Sequence, residues 1–448
     1  MRIIKIVVVT IVALLAAAII WLITMPPELL RVGSGYAAKI VCSNVFLANR
    51  DAQDVLAVDV QAPGHPLLRL MRVSVDERAA KVDAAILGFI APSVAIYRDD
   101  VGCAVTQDLA ASGERNQSPP IVAPESGPAD LLFPEGMKIE ADQRITSVLS
   151  SEALTGPGMR AVVVAQNGRI LGEQYGAGFS DKTPLIGWSM AKTINAALIA
   201  KLVGEGKFAY SDRNLFPQWA NDERGEITLA QLLAMESGLG FNENYGTVAD
   251  VTRMLFLEQD MAEFAIDTPL EVSPGKTFSY SSGTSVILSK FWMDRVGDKT
   301  AALAYPRRAL FAPLGMQSAV FETDATGTYA GSSYIYATAR DWTRFGMLLA
   351  ADGMWKGERL LPEGTVAMMG KPSPKSDGRY SQMQTWLKLY GRDAEGLPAD
   401  MFMLSGHDGQ TVAVVPSLGL VVVRMGLTPS GGGYNVLELI AAAMKAVR

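Results

Sequence analysis

Ser189 and Lys192, in Gly187-Trp188-Ser189-Met190-Ala191-Lys192-Thr193, are spaced to share one turn of helix. The apolar run behind them, Ile194-Asn195-Ala196-Ala197-Leu198-Ile199-Ala200, predicts a buried helix. Positions i and i+3 lie on one helix face, so the lysine amine can reach the serine hydroxyl. Among apolar neighbours the ammonium form is disfavoured, which moves a lysine toward the range of a working base. A serine at a helix start also meets backbone N–H groups and the positive end of the macrodipole. The chemistry on offer is a serine nucleophile with a lysine activator. Ser273-Pro274-Gly275-Lys276 repeats the spacing, but Pro-Gly in its middle predicts a turn, and we read it as structural.

Three further places could serve that chemistry. Tyr280, in Tyr280-Ser281-Ser282, follows the Pro274-Gly275 turn. A phenol close to a serine and a lysine can shuttle protons, although a single tyrosine is more often a packing residue. His407-Asp408-Gly409-Gln410 falls between two strand-like runs. A backbone N–H there can stabilise an oxyanion, with glycine allowing close approach; His407 by itself is more often a turn residue. A Gly187-Trp188-Ser189-Met190-Ala191 elbow with His407 as base is a rival arrangement, that of an α/β-hydrolase. It needs an apolar strand just before the serine, and Asp181-Lys182-Thr183-Pro184-Leu185 is a poor one.

Which elements would position these residues? Ala161–Ala165 and Arg169–Tyr175 flank Asn167-Gly168, a pair that accepts the positive φ of a hairpin turn. Met401–Leu404, Thr411–Val415 and Gly419–Met425 read as strands, and Val436–Val447 as a closing helix. An antiparallel sheet with strands from both ends follows, with the terminal helix on one face and the Ser189 helix on the other. Thr228-Leu229-Ala230-Gln231 has capping-box spacing with Gly238 as the helix stop, and Thr338 caps another helix. This unit occupies residues 135–448. Residues 110–134, rich in Pro, Ser, Gly and Ala, read as a linker. Residues 32–109 read as a small β-rich unit with strand-like Val73–Val75 and Lys81–Leu87. His65, in Pro63-Gly64-His65-Pro66, belongs to a turn and needs no chemical role.

Residues 1–25 read as a membrane segment. Ile6–Thr24 is uninterrupted and apolar, and Arg2 and Lys5 precede it, which predicts a cytoplasmic N-terminus. Ala16-Ala17-Ala18 offers a cleavage site, but the apolar run continues beyond it, which favours an uncleaved inner-membrane anchor with the rest of the chain in the periplasm or outside the cell. Cys42 and Cys103 would then lie in an oxidising compartment, where a disulfide is favoured over two buried thiols. The 448 residues are 49% hydrophobic and 19% charged, which suits a large core rather than disorder. A net charge of −6 without a Lys/Arg cluster argues against nucleic-acid binding. Two histidines and two cysteines, with no H-E-x-x-H or C-x-x-C, argue against a protein-built zinc site.

The order of these motifs carries a resemblance. Ser-x-x-Lys on a helix, Tyr-x-Ser after a Pro-Gly turn, His-x-Gly at a late strand and a terminal helix resemble the serine β-lactamase and penicillin-binding superfamily. The class C-type branch is the more similar, with its β-lactamases, D,D-peptidases, esterases and 6-aminohexanoate-dimer hydrolases. Ile227-Thr228-Leu229 to Ser237-Gly238-Leu239, and Tyr336–Asp341 to Phe345-Gly346, also match, and the likeness runs over roughly residues 137–448. It implies an α/β (α+β) transpeptidase-like fold and an acyl-accepting Ser189. Lys192 and Tyr280 would share the acid–base work, and the N–H groups of Ser189 and Gln410 would form the oxyanion hole. Ser282, His407 and Gly409 would line the substrate. No metal or other cofactor is required, and changes to the Gln410 side chain should matter little. Ser282 stands where the branch usually has Asn, and His407 where β-lactamases carry the Lys of K-T-G. That Lys helps bind a substrate carboxylate, and a neutral His does so poorly. The resemblance therefore points to a small ester or short amide as substrate, ahead of β-lactams or cell-wall peptides. A non-catalytic cell-wall-binding module on the same fold is the remaining alternative.

Overall fold

A computed structural model describes residues 2–62, 64–106, 108–110, 128, 130–389, 395–429 and 432–448. The proposed linker therefore lies largely outside the described residues. The chain divides into two compact units: Met1–Asn116 with Glu243–Gln259, and Gln117–Asn242 with Asp260–Arg448.

The first unit opens with helix α1 (Arg2–Thr24), whose Ile3–Thr24 stretch has a mean hydropathy of 3.1 and is long enough to cross a bilayer. Pro26 and Pro27 break it before α2 (Glu28–Ala48), which Asn49 ends in the left-handed region. Four antiparallel strands follow in sequential order: β1 (Met71–Asp76), β2 (Lys81–Ile86), β3 (Ile90–Arg98) and β4 (Gly102–Thr106). The strand-like runs thus pair as a meander. What the sequence reading missed is the 21-residue α2, which packs along that sheet and makes the unit mixed rather than β-rich. Cys42 of α2 and Cys103 of β4 form a disulfide with Cα atoms 6.1 Å apart. His65 accepts a hydrogen bond from Leu67 N at Nδ1 and so caps a short turn.

The second unit is built on a five-stranded antiparallel sheet that uses both ends of its sequence. Strands β5 (Met159–Gln166) and β6 (Arg169–Tyr175) form a hairpin through Asn167 (φ 49°) and Gly168 (φ 78°). Short strands β7 (Leu185–Ile186), β8 (Val320–Phe321) and β9 (Ile335–Ala337) make a separate sheet in the order β7-β9-β8, and β10 (Met354–Trp355) pairs with β11 (Glu358–Arg359). Strands β12 (Phe402–Gly406), β13 (Gln410–Val415) and β14 (Leu420–Gly426) complete the main sheet in the order β12-β13-β14-β5-β6. Register Val422↔Val164 locks the late strands onto the early hairpin.

Helices Gln143–Leu149 and Val436–Val447 cover one face. Ile145, Leu149, Val164, Val422, Leu439 and Ile440 belong to the core beneath them. The other face is covered by helix Ala339–Ala350, not by the Ser189 helix as expected. Gly346 makes the approach possible, since a Cβ there would lie 2.5 Å from Val421 Cγ1. The Ser189 helix (Ala191–Gly204) is apolar nearly all round and packs beside helix Ser282–Val296. Such a helix is stable in the interior, not as a one-faced cover. Thr228 and Gln231 form the expected capping box, but that helix stops at Leu233. Gly238 (φ 80°) instead lets residues 271–272 come close, because a Cβ on it would sit 2.2 Å from Val272 O.

Candidate active site

Ser189 sits on a single 3-10 turn, Trp188–Met190, at the entrance of helix Ala191–Gly204. Trp188 takes φ 47°, a conformation rare for a bulky residue. Its indole is buried between Tyr334 (ring centroids 6.1 Å apart) and His407 (5.6 Å, edge-on). Packing on both sides holds the turn in this conformation, and Ser189 remains half-buried.

One turn later Lys192 is 1% exposed. Its Nζ donates to Ser189 Oγ (3.1 Å), Ser282 Oγ (3.1 Å) and the Ser332 carbonyl (3.0 Å). The face of the Tyr280 ring lies 4.8 Å from the same nitrogen. Three segments far apart in sequence, at residues 189–192, 280–282 and 332, thus converge on one amine. The Ser273–Lys276 repeat is a turn at Pro274-Gly275.

Ser281 caps helix Ser282–Val296 by accepting from Thr284 N, which leaves Ser282 to point its hydroxyl at Lys192. Tyr280, immediately before, packs on Trp386 (5.2 Å) and Tyr380 (5.7 Å). Ser332, Tyr380 and Trp386 were not singled out from sequence. Ser332 had a signal: a small-residue run, Ala330-Gly331-Ser332-Ser333, just before an apolar strand. A Cβ on Gly331 would lie 2.2 Å from Ser289 Oγ, so only glycine lets this loop reach the helices. Gln384 gave no signal, yet its carbonyl accepts from Thr193 Oγ1 and its Oε1 from Ser285 Oγ. It ties the helix of Lys192 to the helix of Ser282.

The edge formed by β12 and β13 completes the site. Gly406 pairs with Gln410 across the turn His407–Gly409, where Asp408 (φ 57°) and Gly409 (φ 84°) are both left-handed. Buried Arg424 donates to the Gly409 carbonyl, and Thr428 N donates to that of Asp408. The Gln410 side chain is 2% exposed and clamps β14: its Oε1 accepts from Gly426 N, and its Nε2 donates to Gly426 O and His407 O. From sequence, changes to this side chain are expected to matter little; in the structure it bridges β14 and the His407–Gly409 turn. Its amide orders the His407–Gly409 turn, whose His407 ring meets Trp188 beside Ser189. His407 is exposed, with Nε2 3.4 Å from Asp408 Oδ1. Burial pushes the Asp408 carboxyl above its ordinary value, against the pull of His407 and Arg160.

The beta-lactamase family model matches residues 151–439, which contain every residue of the site. A 6-aminohexanoate-dimer hydrolase from Paenarthrobacter ureafaciens is 24% identical over 223 residues, 46% of this chain and 55% of its own. The chain thus spans about half the length of that relative. Among solved structures, a Bacillus anthracis protein provisionally named a 6-aminohexanoate-dimer hydrolase superposes with a TM-score of 0.56 at 21% identity, over 72% of this chain and 88% of its own. A penicillin-binding protein homologue from Caulobacter crescentus gives 0.52 at 16% identity, over 69% and 99%. At such identities the structural likeness speaks to the fold.

Proposed function

The chain belongs to the beta-lactamase family, and we propose that it is a membrane-anchored serine hydrolase cleaving a small ester or short amide through an acyl-enzyme on Ser189. The observation that carries this is the 3.1 Å contact between Ser189 Oγ and a lysine amine that is 1% exposed. A neutral amine at this distance is the form able to take a proton from serine.

In the proposed sequence, Ser189 Oγ attacks the substrate carbonyl carbon while its proton passes to Lys192 Nζ. The carbonyl oxygen gains negative charge and is met by the N–H groups of Ser189 and Gln410, each contributing on the order of 3 kcal/mol. Collapse breaks the ester or amide bond. The leaving oxygen or nitrogen takes the proton from Lys192, relayed by Tyr280. A water molecule then adds to the acyl carbon, giving its proton back through the same groups, and Ser189 is released with the acid product.

Two features favour esters and short amides over β-lactams. The K-T-G lysine position holds His407, which is engaged edge-on with Trp188 and lies beside Asp408, a poor setting for gripping a substrate carboxylate. The half-buried Tyr280 and Trp386, backed by buried Tyr380, also form an aromatic surface that reaches Lys192 at Tyr280, suited to an apolar acyl or alcohol group. The relative named as a 6-aminohexanoate-dimer hydrolase supports the short-amide option. The anchor reading rests on α1, with Arg2 and Lys5 at its cytoplasmic end.

The test is intact-mass analysis after treatment with a fluorophosphonate, alongside turnover of p-nitrophenyl butyrate. One adduct on Ser189, and loss of both signals in Ser189→Ala, is the expected result. A folded protein that takes no label and turns over no ester would leave the binding-module alternative.

A further inference from the structure

The first unit has two ends of opposite character, and α2 tells them apart. Near its start, Gly33 packs on Leu68 and Met71, since a Cβ there would lie 3.3 Å from Leu68 Cδ2 and 3.9 Å from Met71 Cε. One residue on, Ser34 Oγ hydrogen-bonds Ser93 Oγ at 2.9 Å. Near its finish, Cys42 is bonded to Cys103 and Phe46 stacks on Tyr97. Met71 pairs with Ile86 and Ile86 with Ile90, whereas Tyr97 pairs with Cys103. So α2 runs along the sheet from the Met71–Ile86–Ile90 end to the Tyr97–Cys103 end. Only Met25, Pro26 and Pro27 separate its start from the last residue of α1. The first end of the sheet is therefore the end from which α1 departs.

That end is apolar where water should make it polar. Leu67 (39% exposed), Leu70 (41%), Leu87 (47%) and Phe89 (51%) all lie there. Leu67 and Leu70 are three apart on a 3-10 turn and so share a face. Leu87 N donates to Leu70 O, which brings the β2–β3 tip beside that turn. Exposed Arg69 and Arg72 flank the patch. The far end carries exposed Asp76, Glu77, Arg78, Asp99 and Asp100 in its two turns. Apolar tips flanked by arginine suit the boundary between acyl chains and anionic headgroups, and an acidic end does not.

We propose that this end of the first unit sits in the surface of the same bilayer that α1 crosses, with Leu67, Leu70, Leu87 and Phe89 dipping into the headgroup layer. The proposal rests on the anchor reading of α1. It makes the first unit one that rests on the outer leaflet. Contiguous exposed apolar residues on a soluble surface mark such contacts.

The test uses the full chain in vesicles of phosphatidylcholine and phosphatidylglycerol, with or without a doxyl-labelled lipid. Cys42 and Cys103 are bonded to each other, so Trp21→Cys, Phe89→Cys and Asp99→Cys each offer one thiol for an NBD label. Expected is strong quenching at 21, several-fold quenching at 89 by a shallow doxyl group, and none at 99. Leu87→Cys stands in for Phe89→Cys if that variant misfolds. Quenching at 21 with 89 no different from 99 overturns the patch and keeps the anchor. No quenching at 21 overturns both. A blue-shifted, unquenched label at 89 that reverts on dilution assigns the patch to a second copy of the chain, which also overturns the proposal.

Discussion

A Cβ placed on Gly406 would lie 2.2 Å from the carbonyl oxygen of Gly187. This is the seam of the site. Gly187 precedes the turn that carries Ser189, and Gly406 ends the strand that precedes His407 and Gln410. Backbone meets backbone here, so the edge of the sheet can approach the serine closely only while no side chain stands between them. Gly187 is equally constrained from the other side, since a Cβ on it would lie 2.3 Å from Trp342.

Gly406→Ala should therefore separate the two halves of the site without removing any polar group. Overpacking of this kind costs about 1–3 kcal/mol, small against a core of this size. The protein should stay folded, melt a few degrees lower, and lose at least tenfold in kcat/KM toward p-nitrophenyl butyrate. Unchanged turnover in the folded variant would show that the approach of the β12–β13 edge is not needed for catalysis.

Lys192 and His407 should respond very differently to removal. Lys192 Nζ contacts Ser189, whereas His407 contacts Trp188 and Asp408. Lys192→Met should lower kcat/KM by roughly 10³-fold, the range for losing a positioned base. His407→Ala should lower it by about tenfold, through substrate placement and Trp188 packing. Steady-state rates on one ester decide the matter. The reverse order would favour a histidine-based mechanism of the α/β-hydrolase type.

Gln410→Ala is expected to be costly, because the side chain as well as the backbone of this residue holds the turn. It would leave the N–H and carbonyl of Gly426 without their side-chain partners in the interior. Unmet buried groups cost roughly 1–3 kcal/mol each. We expect a clearly lower melting temperature together with slower labelling by a fluorophosphonate. A normal melting curve with normal labelling would mean that the clamp is redundant with Arg424, which holds the Gly409 carbonyl.

The contrast between Gln410 and Lys192 shows what a sequence makes legible. Ser189 and Lys192 are neighbours on one turn, so local periodicity suffices to pair them. The hairpin at Asn167-Gly168 and the cap at Thr338 are equally local, and both form where the residue types demand. Ser332 offers Lys192 a main-chain carbonyl from a remote loop, marked in the sequence only by the small residues around it, and Gln384 joins two helices through its carbonyl and its side-chain amide from a loop with no local pattern. Helix Ala339–Ala350, rather than the Ser189 helix, took the sheet face because burial on all sides sends a uniformly apolar helix to the interior. Helix α2 was missed because its apolar side faces a sheet in its own unit, and its small residues, Gly33, Ser34 and Gly35, gave weak local helix signals.

Asp408 provides a pH test of the turn beside Ser189. Its carboxyl is buried and sits above the ordinary carboxylate value of 3.8, with His407 and Arg160 opposing the rise. A raised value in the folded state means that folding favours the protonated acid. That contribution is fully present below the unfolded value and is lost as pH rises through the folded one. Asn at this position keeps the shape, tolerates φ 57° and cannot ionise. The backbone carbonyl that accepts from Thr428 N is unaffected. Asp408→Asn should therefore match the parent in melting temperature near pH 3.5, gain on it progressively above pH 4, and hold a constant advantage once the parent carboxyl is fully ionised. Thermal melts taken at half-unit steps from pH 3.5 to 8 measure this difference. An advantage that is largest in acid and shrinks with rising pH would mean that the ionised carboxylate stabilises the turn, through His407 or Arg160, and that burial does not dominate at this position.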